Sequence, residues 1–105
     1  MQSEVLYEVT VTVEASMADA FFRYMTERHI PDVLATGCFA RAILVTDGAG
    51  RYRTTYVAAG QAALDRYLSD FAAGLRDDFA AHFSSGVSAE RKLWHSLKEF
   101  NGDAK

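Results

Sequence analysis

The stretch CFARAILVTDGAGRYRTTYVAA, residues 38–59, decides the fold, because two strand patterns flank a turn at its centre. Residues 38–47 alternate with the period of two that is typical of a β-strand, and residues 51–59 read as the next strand. The turn between them, Asp47-Gly48-Ala49-Gly50, is a hairpin signal. The centre of the chain is therefore predicted to be a β-hairpin.

The length of this turn decides which side chains share a face of the sheet. A four-residue loop places Arg41 across from Tyr56 and Val45 across from Tyr52. A three-residue loop shifts the register by one residue and moves both tyrosines to the other face. The sequence leaves both registers open.

A strand and a helical region lie on each side of the hairpin. Residues 4–13, EVLYEVTVTV, alternate as a strand, and the helical region after it carries Pro31, which predicts that the helix ends or kinks near His29. Residues 60–83 carry a second helical stripe, in which Gly74 favours a break or bend, and residues 87–97 form the last strand.

The order strand–helix–strand–strand–helix–strand is typical of the ferredoxin-like βαββαβ fold of the α+β class. We predict a four-stranded antiparallel sheet with both helical regions on one face. Residues 1–99 are expected to form a single domain, and residues 100–105 a polar C-terminal tail.

The opposite face of such a sheet has no cover. Its candidate residues include the large apolar side chains of Leu6 and Trp94, with Phe39 or Val57 according to the register. Because apolar patches on small proteins usually mark interfaces, we predict a homodimer that stacks sheet on sheet.

Composition excludes several classes of partner. The 105 residues carry a formal net charge of −3 and no basic cluster, so no nucleic-acid partner is expected. The N-terminus lacks the order of a signal peptide, and no apolar stretch is long enough to span a membrane. One cysteine, Cys38, rules out an internal disulfide. We expect a cytoplasmic protein without a membrane partner.

The residues that could carry chemistry form no motif. His29 is either a general base or a structural residue at a helix C-terminus. The other candidates are polar and aromatic strand residues that form either a small-molecule pocket or an interfacial packing network, namely Glu8, Thr10, Arg41, Arg53, Tyr52, Tyr56 and Trp94. Among them, His29, Tyr56 and Arg53 are the candidates for a catalytic role. Three dispersed histidines and one cysteine show no ligand spacing, so neither a metal nor a cofactor is expected.

Further short motifs span nearly the whole chain and resemble a known group. They are Tyr7-Glu8-Val9, His29-Ile30, Leu34, Gly37, Phe39, Tyr52-Arg53, Tyr56, Ala63-Leu64, Tyr67-Leu68, Leu75-Arg76, Phe83 and Arg91. On these residues the chain resembles the dimeric α+β-barrel superfamily, which includes antibiotic-biosynthesis monooxygenases and muconolactone isomerases. It is most similar to a short bacterial family of unknown function. The resemblance implies the fold and the dimer, and it supplies no catalytic residues.

Two functions follow as hypotheses. The first is an uncharacterised small homodimeric α+β-barrel protein with no identifiable catalytic motif, whose status as an enzyme is left open. The alternative is a cofactor-independent enzyme of the monooxygenase or cyclase/isomerase type, or a binder, whose ligand is a small aromatic or polyketide-like molecule in the sheet-lined cavity. An enclosed cavity of several hundred Å3, lined by Tyr, Arg and His, would favour the alternative.

Overall fold

The computed structural model describes residues 3–103 and contains one four-stranded antiparallel sheet with helices on one face. The strands are β1 (Val5–Val13), β2 (Arg41–Thr46), β3 (Arg51–Ala58) and β4 (Val87–His95). The helices are α1 (Ala18–Tyr24), α2 (Ile30–Ala35), α3 (Gln61–Asp70) and α4 (Ala72–His82). The strand order β2-β3-β1-β4 confirms the predicted ferredoxin-like α+β fold.

The hairpin between β2 and β3 adopts a register that differs from the four-residue alternative. Arg41 lies opposite Val57 instead of Tyr56, and Val45 lies opposite Arg53 instead of Tyr52. Five residues, 47–51, separate the last cross-strand pair. The observed register is shifted by one residue from the four-residue alternative. It therefore places the side chains on the faces that the three-residue alternative predicts.

The Asp47 carboxylate braces the turn, which the Asp47 N–H also closes by bonding to the carbonyl oxygen of Arg51 at 3.2 Å. Its Oδ1 accepts the backbone N–H of Ala49 at 2.7 Å and that of Arg51 at 3.1 Å. Gly48 and Gly50 have φ values of 75° and 90°, in the left-handed region that glycine adopts without steric cost. These bonds hold the pKa of Asp47 below its usual value. The side chain therefore completes a turn that the strand pattern alone does not define.

Residues 18–35 form one helical rod with a wide turn in its middle. A π-helix, Met25–His29, joins α1 to α2, and the N–H of Ile30 bonds to the carbonyl oxygen of Met25, five residues back. Pro31 has no N–H, and its ring would clash with the carbonyl of Glu27 in a regular helix. Where the sequence predicted an end or kink near His29, the helix therefore widens, and it continues to Ala35.

The second helical region breaks at a different residue from the one predicted. Phe71, with φ −125°, separates α3 from α4, and its N–H still bonds to the carbonyl oxygen of Tyr67 at 3.0 Å. Gly74 lies three residues later, inside α4 and exposed to solvent. The prediction of a break at Gly74 was wrong.

The core between sheet and helices consists of two clusters of buried side chains. The first joins β1 and β3 to α2 and α3, and includes Val5, Tyr7, Val33, Cys38, Phe39, Tyr56, Leu64 and Tyr67. The second joins β1 to α1 and the end of α4, and includes Val11, Val13, Phe21, Tyr24, Met25 and Phe83. Phe39 thus packs on the helix side, and Val57 lies on the opposite face.

The chain beyond β4 has no regular structure up to residue 103. The N–H of Ser96 bonds to the carbonyl oxygen of Glu4 at 2.9 Å, whereas Leu97 is 97% exposed. The division into a domain and a tail at residue 99 stays a prediction. Within residues 3–103, every helix is too short or too polar to cross a membrane.

Candidate functional site

A small aromatic cavity lies between the helix-facing side of the sheet and the helices. Its volume is about 30 Å3, which is room for one or two water molecules. Strands β1, β3 and β4 form its floor, and the π-helix, α3 and α4 form its roof. The lining residues are Tyr7, Val9, Val11, Met25, His29, Tyr56, Tyr67, Leu75, Arg76, Phe79, Ala89 and Arg91. The lining contains Tyr, Arg and His, but the volume is far below the several hundred Å3 that would favour the ligand-binding alternative.

Three tyrosines define one end of the cavity. The ring centroid of Tyr7 lies 6.1 Å from that of Tyr56 and 5.8 Å from that of Tyr67. Arg76 of α4 donates from Nη2 to the Tyr7 hydroxyl at 3.3 Å. Burial raises the pKa of Tyr67 to about 12, so this phenol stays protonated at neutral pH.

Among residues 3–103, two buried side-chain polar atoms have no hydrogen-bond partner, and the Tyr56 hydroxyl is the first of them. It has no hydrogen-bond partner among residues 3–103, and the residue is only 2% exposed. Burial is the main cause that raises the pKa of Tyr56, and the nearby Thr54 hydroxyl partly opposes this shift. An unpaired buried hydroxyl costs about 1–3 kcal/mol, so it is rare in native proteins.

The second unpaired group is Nδ1 of His29, at the end of the π-helix. The imidazole lies 5.7 Å from the Tyr24 ring and 5.8 Å from the Phe79 ring, measured between centroids. Burial lowers the pKa of His29, and Arg91 adds to this effect against the opposing charges of Asp78 and Asp32. The ring is therefore neutral at pH 7, with a nitrogen that can accept a proton.

The π-helix explains why His29 reaches this cavity. Met25 and His29 both line it, from the first and last positions of the wide turn. Single π-turns inside α-helices are often found at functional sites, because they redirect side chains without ending the helix. Pro31 thus shapes the cavity although it does not touch it.

One carboxylate joins the two helical walls of the cavity. Asp78 of α4 accepts two hydrogen bonds from the Arg28 guanidinium, at 2.7 and 3.0 Å, and one from the Tyr24 hydroxyl at 2.6 Å. Arg28 is the main cause that lowers the pKa of Asp78 to about 2, and Tyr24 adds to it. We call Tyr24, Arg28 and Asp78 the helix clamp. It fixes the distance between the π-helix and α4.

The structure separates the predicted site residues into two groups. Tyr56 and His29 line the same cavity. Tyr52 faces the helices too, but it belongs to the second core cluster, where its ring centroid lies 5.0 Å from that of Phe21. The remaining candidates lie on the opposite, open face of the sheet, namely Glu8, Thr10, Arg41, Arg53 and Trp94.

The candidates on the open face mostly contact each other. Arg53 lies 3.7 Å from Glu8 and donates to the Thr10 hydroxyl at 3.2 Å. Arg41 lies 3.5 Å from Glu4, and the Lys92 ammonium lies 4.3 Å from the centroid of the Trp94 ring. These contacts correspond to the packing and salt-bridge alternative. The predicted constellation, which joined Tyr52 or Tyr56 to Arg41 or Arg53, does not form. Alternation along β3 places both tyrosines on the opposite face from Arg53, and the register places them on the opposite face from Arg41.

Four site residues were missed in the sequence. Tyr7 and Tyr67 have the pattern of ordinary core residues, and Arg76 that of a surface helix residue. Arg91 could have been identified from the sequence pattern, because it occupies a helix-facing position of β4, across from Val9. A charge at such a position indicates a partner or a solvent-filled gap. In the same described part of the chain, no cluster of three or more His, Cys, Asp or Glu could hold a metal ion.

Comparison with known proteins supports the fold. The family described as a domain of unknown function, DUF4286, matches residues 4–97. No curated protein matches the chain. Among solved structures, the cofactor-independent oxygenase SnoaB from Streptomyces nogalater superposes with a TM-score of 0.72 at 20% identity, over 95% of this chain and 99% of that one.

A second solved structure extends the comparison. NE2512, a protein of unknown function from Nitrosomonas europaea, superposes with a TM-score of 0.68 at 15% identity, over 98% of each chain. At these identities the similarity concerns the fold alone. The expectation of a family of unknown function is confirmed, and its bacterial origin stays an expectation.

Proposed function

This chain belongs to the DUF4286 family of unknown function, and we propose that it binds a small aromatic molecule in the cavity between its sheet and its helices. One observation carries the proposal: within residues 3–103, neither the Tyr56 hydroxyl nor Nδ1 of His29 has a hydrogen-bond partner, although both atoms are buried and both residues line one cavity. Since buried polar groups are nearly always paired, a bound molecule with a hydroxyl or carbonyl group would satisfy them.

The present volume requires the cavity to widen for such a ligand. Small-molecule sites usually measure about 300–1,000 Å3, which is roughly 10 to 30 times the volume observed. The side towards β4 offers room, because Ala89, Arg91 and Leu93 face the helix side and are exposed. A planar ligand could insert from this side beneath α4, with its polar group directed towards Tyr56 and His29.

The alternative proposal adds chemistry to binding. A neutral imidazole in a dry aromatic cavity can take a proton from an acidic C–H or O–H group, and the Tyr56 hydroxyl can donate to the enolate oxygen that forms. Isomerisation and cofactor-independent oxygenation can both begin with this step. The fold shared with SnoaB, described as a cofactor-independent oxygenase, supports this alternative.

Binding is tested by calorimetry and thermal shift with 2-naphthol as the probe. Its hydroxyl can donate to His29 and accept from Tyr56. We expect saturable binding to the wild type and an affinity loss of about tenfold in Tyr56→Phe, which removes one hydrogen bond. Tyr52→Phe is the matched control, because its ring packs in the other core cluster. Equal affinity in all three proteins, or no binding to the wild type, would contradict the proposal.

Catalysis is tested separately with 2-tetralone, an aromatic ketone with acidic C–H groups. The wild type should accelerate exchange of these protons in D2O, measured by NMR, and His29→Gln should not. Exchange at the buffer rate in the wild type would remove the enzymatic alternative and leave the binding proposal standing.

The assembly proposed for this function is a homodimer through the open face. Ile43, Val45 and Trp94 on this face are 54%, 49% and 46% exposed. Two of its arginines, Arg41 and Arg53, already lie beside Glu4 and Glu8 of the same chain, which partly neutralises the face that a second copy would meet. Sedimentation should show a dimer at tens of micromolar, and a monomer there would rule this assembly out.

A further inference from the structure

The cavity rim carries positive charge and no negative charge. Arg76 of α4 and Arg91 of β4 belong to the lining, which contains no aspartate or glutamate. The two arginines lie on either side of the cavity's opening towards β4, one on the helix and one on the strand. The chain as a whole has 14 acidic and 11 basic residues, so a cationic rim does not follow from its composition.

Neither rim arginine has a carboxylate partner. Arg28, Arg41 and Arg53 each have a carboxylate oxygen within 4.0 Å, whereas no such contact to Arg76 or Arg91 occurs within residues 3–103. Arg76 uses one donor on the Tyr7 hydroxyl. Because a guanidinium has five N–H donors, most of its capacity remains available to a ligand.

Both positive charges act inside the cavity. The charges of Arg76 and Arg91 lower the pKa of Tyr67 against the effect of burial, and Arg91 also lowers the pKa of His29. An anionic group near the rim would thus interact favourably with both arginines. Carboxylates match the planar fork of a guanidinium better than other groups of similar size.

We propose that the ligand is an organic carboxylate, with its aromatic body in the cavity and its carboxylate bound at the rim by Arg76 and Arg91. This inference rests on the proposed binding function and names the chemical class of its ligand. The aromatic rings and Leu75 contact the body, and the two guanidinium groups select the charged end. The arginines are specificity-determining residues, and no proton transfer is assigned to them.

The test compares 2-naphthoate with its neutral isostere 2-naphthamide by calorimetry. We expect the wild type to prefer the carboxylate by about tenfold or more, as charge-assisted hydrogen bonds to arginine would give. The preference should weaken when the salt concentration rises from about 20 mM to about 0.5 M. Arg76→Gln and Arg91→Gln should each reduce it, and the double variant should remove it.

Arg23→Gln is the matched control, because Arg23 lies on α1, away from the cavity, and carries the same charge. Its preference for 2-naphthoate should equal that of the wild type. Equal affinities for acid and amide in the wild type, or a preference that survives in the double variant, would overturn the inference. If 2-naphthol binds and the acid binds no better than the amide, this inference fails while the binding function stands. If none of the probes binds, both fail.

Discussion

Polar side chains have different surroundings on the two faces of the sheet. On the open face, Arg53 lies beside Glu8 at 3.7 Å, and both can also reach water. On the helix side, Tyr56 and His29 each hold a buried polar atom that no residue of the described chain satisfies. Exposed groups can pair with each other or with solvent, so they say little about ligands. Buried groups that lack a partner in the described chain can be satisfied by a bound water or by a ligand, which is why the proposed binding site lies on this side.

The largest predicted effect is a difference in the free energy of unfolding between substitutions at two neighbouring residues of β1, one on each face of the sheet. Val5 is buried on the helix side, and Leu6 lies half-buried on the open face. We expect Val5→Ala to lower the free energy of unfolding by about 2–3 kcal/mol, since it removes two buried carbon atoms and leaves a void. Leu6→Ala should cost about 1 kcal/mol or less at concentrations where the chain is monomeric. Urea denaturation measures both, and equal costs would mean that the open face is covered within the monomer.

The next effect concerns assembly. Ile43→Asp places a charge in the proposed interface and should raise the dimer dissociation constant about 30- to 100-fold, because a buried unpaired charge is costly. Phe22→Asp is the matched control, since Phe22 is 55% exposed, much like Ile43, but lies on α1. Sedimentation equilibrium of both variants gives the comparison. Similar constants for the two variants would place the interface elsewhere.

A smaller effect is expected from deleting the unpaired hydroxyl. Without ligand, Tyr56→Phe should leave the free energy of unfolding unchanged or raise it by about 1 kcal/mol, because it removes a buried group that makes no hydrogen bond. Tyr52→Phe should change it by less than about 0.5 kcal/mol. Marked destabilisation by Tyr56→Phe would indicate that the hydroxyl already has a partner, such as a fixed water.

The smallest effect concerns pH. Burial lowers the pKa of His29 below its usual 6.5, so the unfolded chain binds a proton more readily than the folded chain. The stability held above pH 6.5 is therefore lost as pH falls through the folded pKa. His29→Gln should flatten this loss as pH falls below about 6.5. Parallel stability curves for wild type and variant would show that His29 is solvated in the folded state.

The sequence predicts the fold well because the strands leave strong local signals. Alternating apolar residues mark β1, and the glycines of the turn mark the hairpin. The register was not predictable, since a single carboxylate, Asp47, closes the turn through hydrogen bonds that no periodicity encodes. The break at Phe71 and the π-helix were missed because tertiary packing, and a proline inside a continuing helix, decide them.

The site was predicted only in part, for related reasons. Tyr56 and His29 were candidates by residue type, but their shared cavity depends on register and on the wide helical turn. Arg53 and Trp94 had the same chemistry and lie on the wrong side of the sheet. Residue type thus identified plausible groups, and only the three-dimensional placement showed which of them are buried without partners.

The π-helix also sets the rotational phase of the rod that contains it. In a regular helix, at about 100° per residue, Phe21 and Val33 would point about 120° apart. If the wide turn absorbs one residue, the difference falls to about 20°, and both side chains are indeed fully buried. Phe21 belongs to one core cluster and Val33 to the other. Because the wide turn ahead of the proline contains one extra residue, a single helical rod can bury side chains in both core clusters.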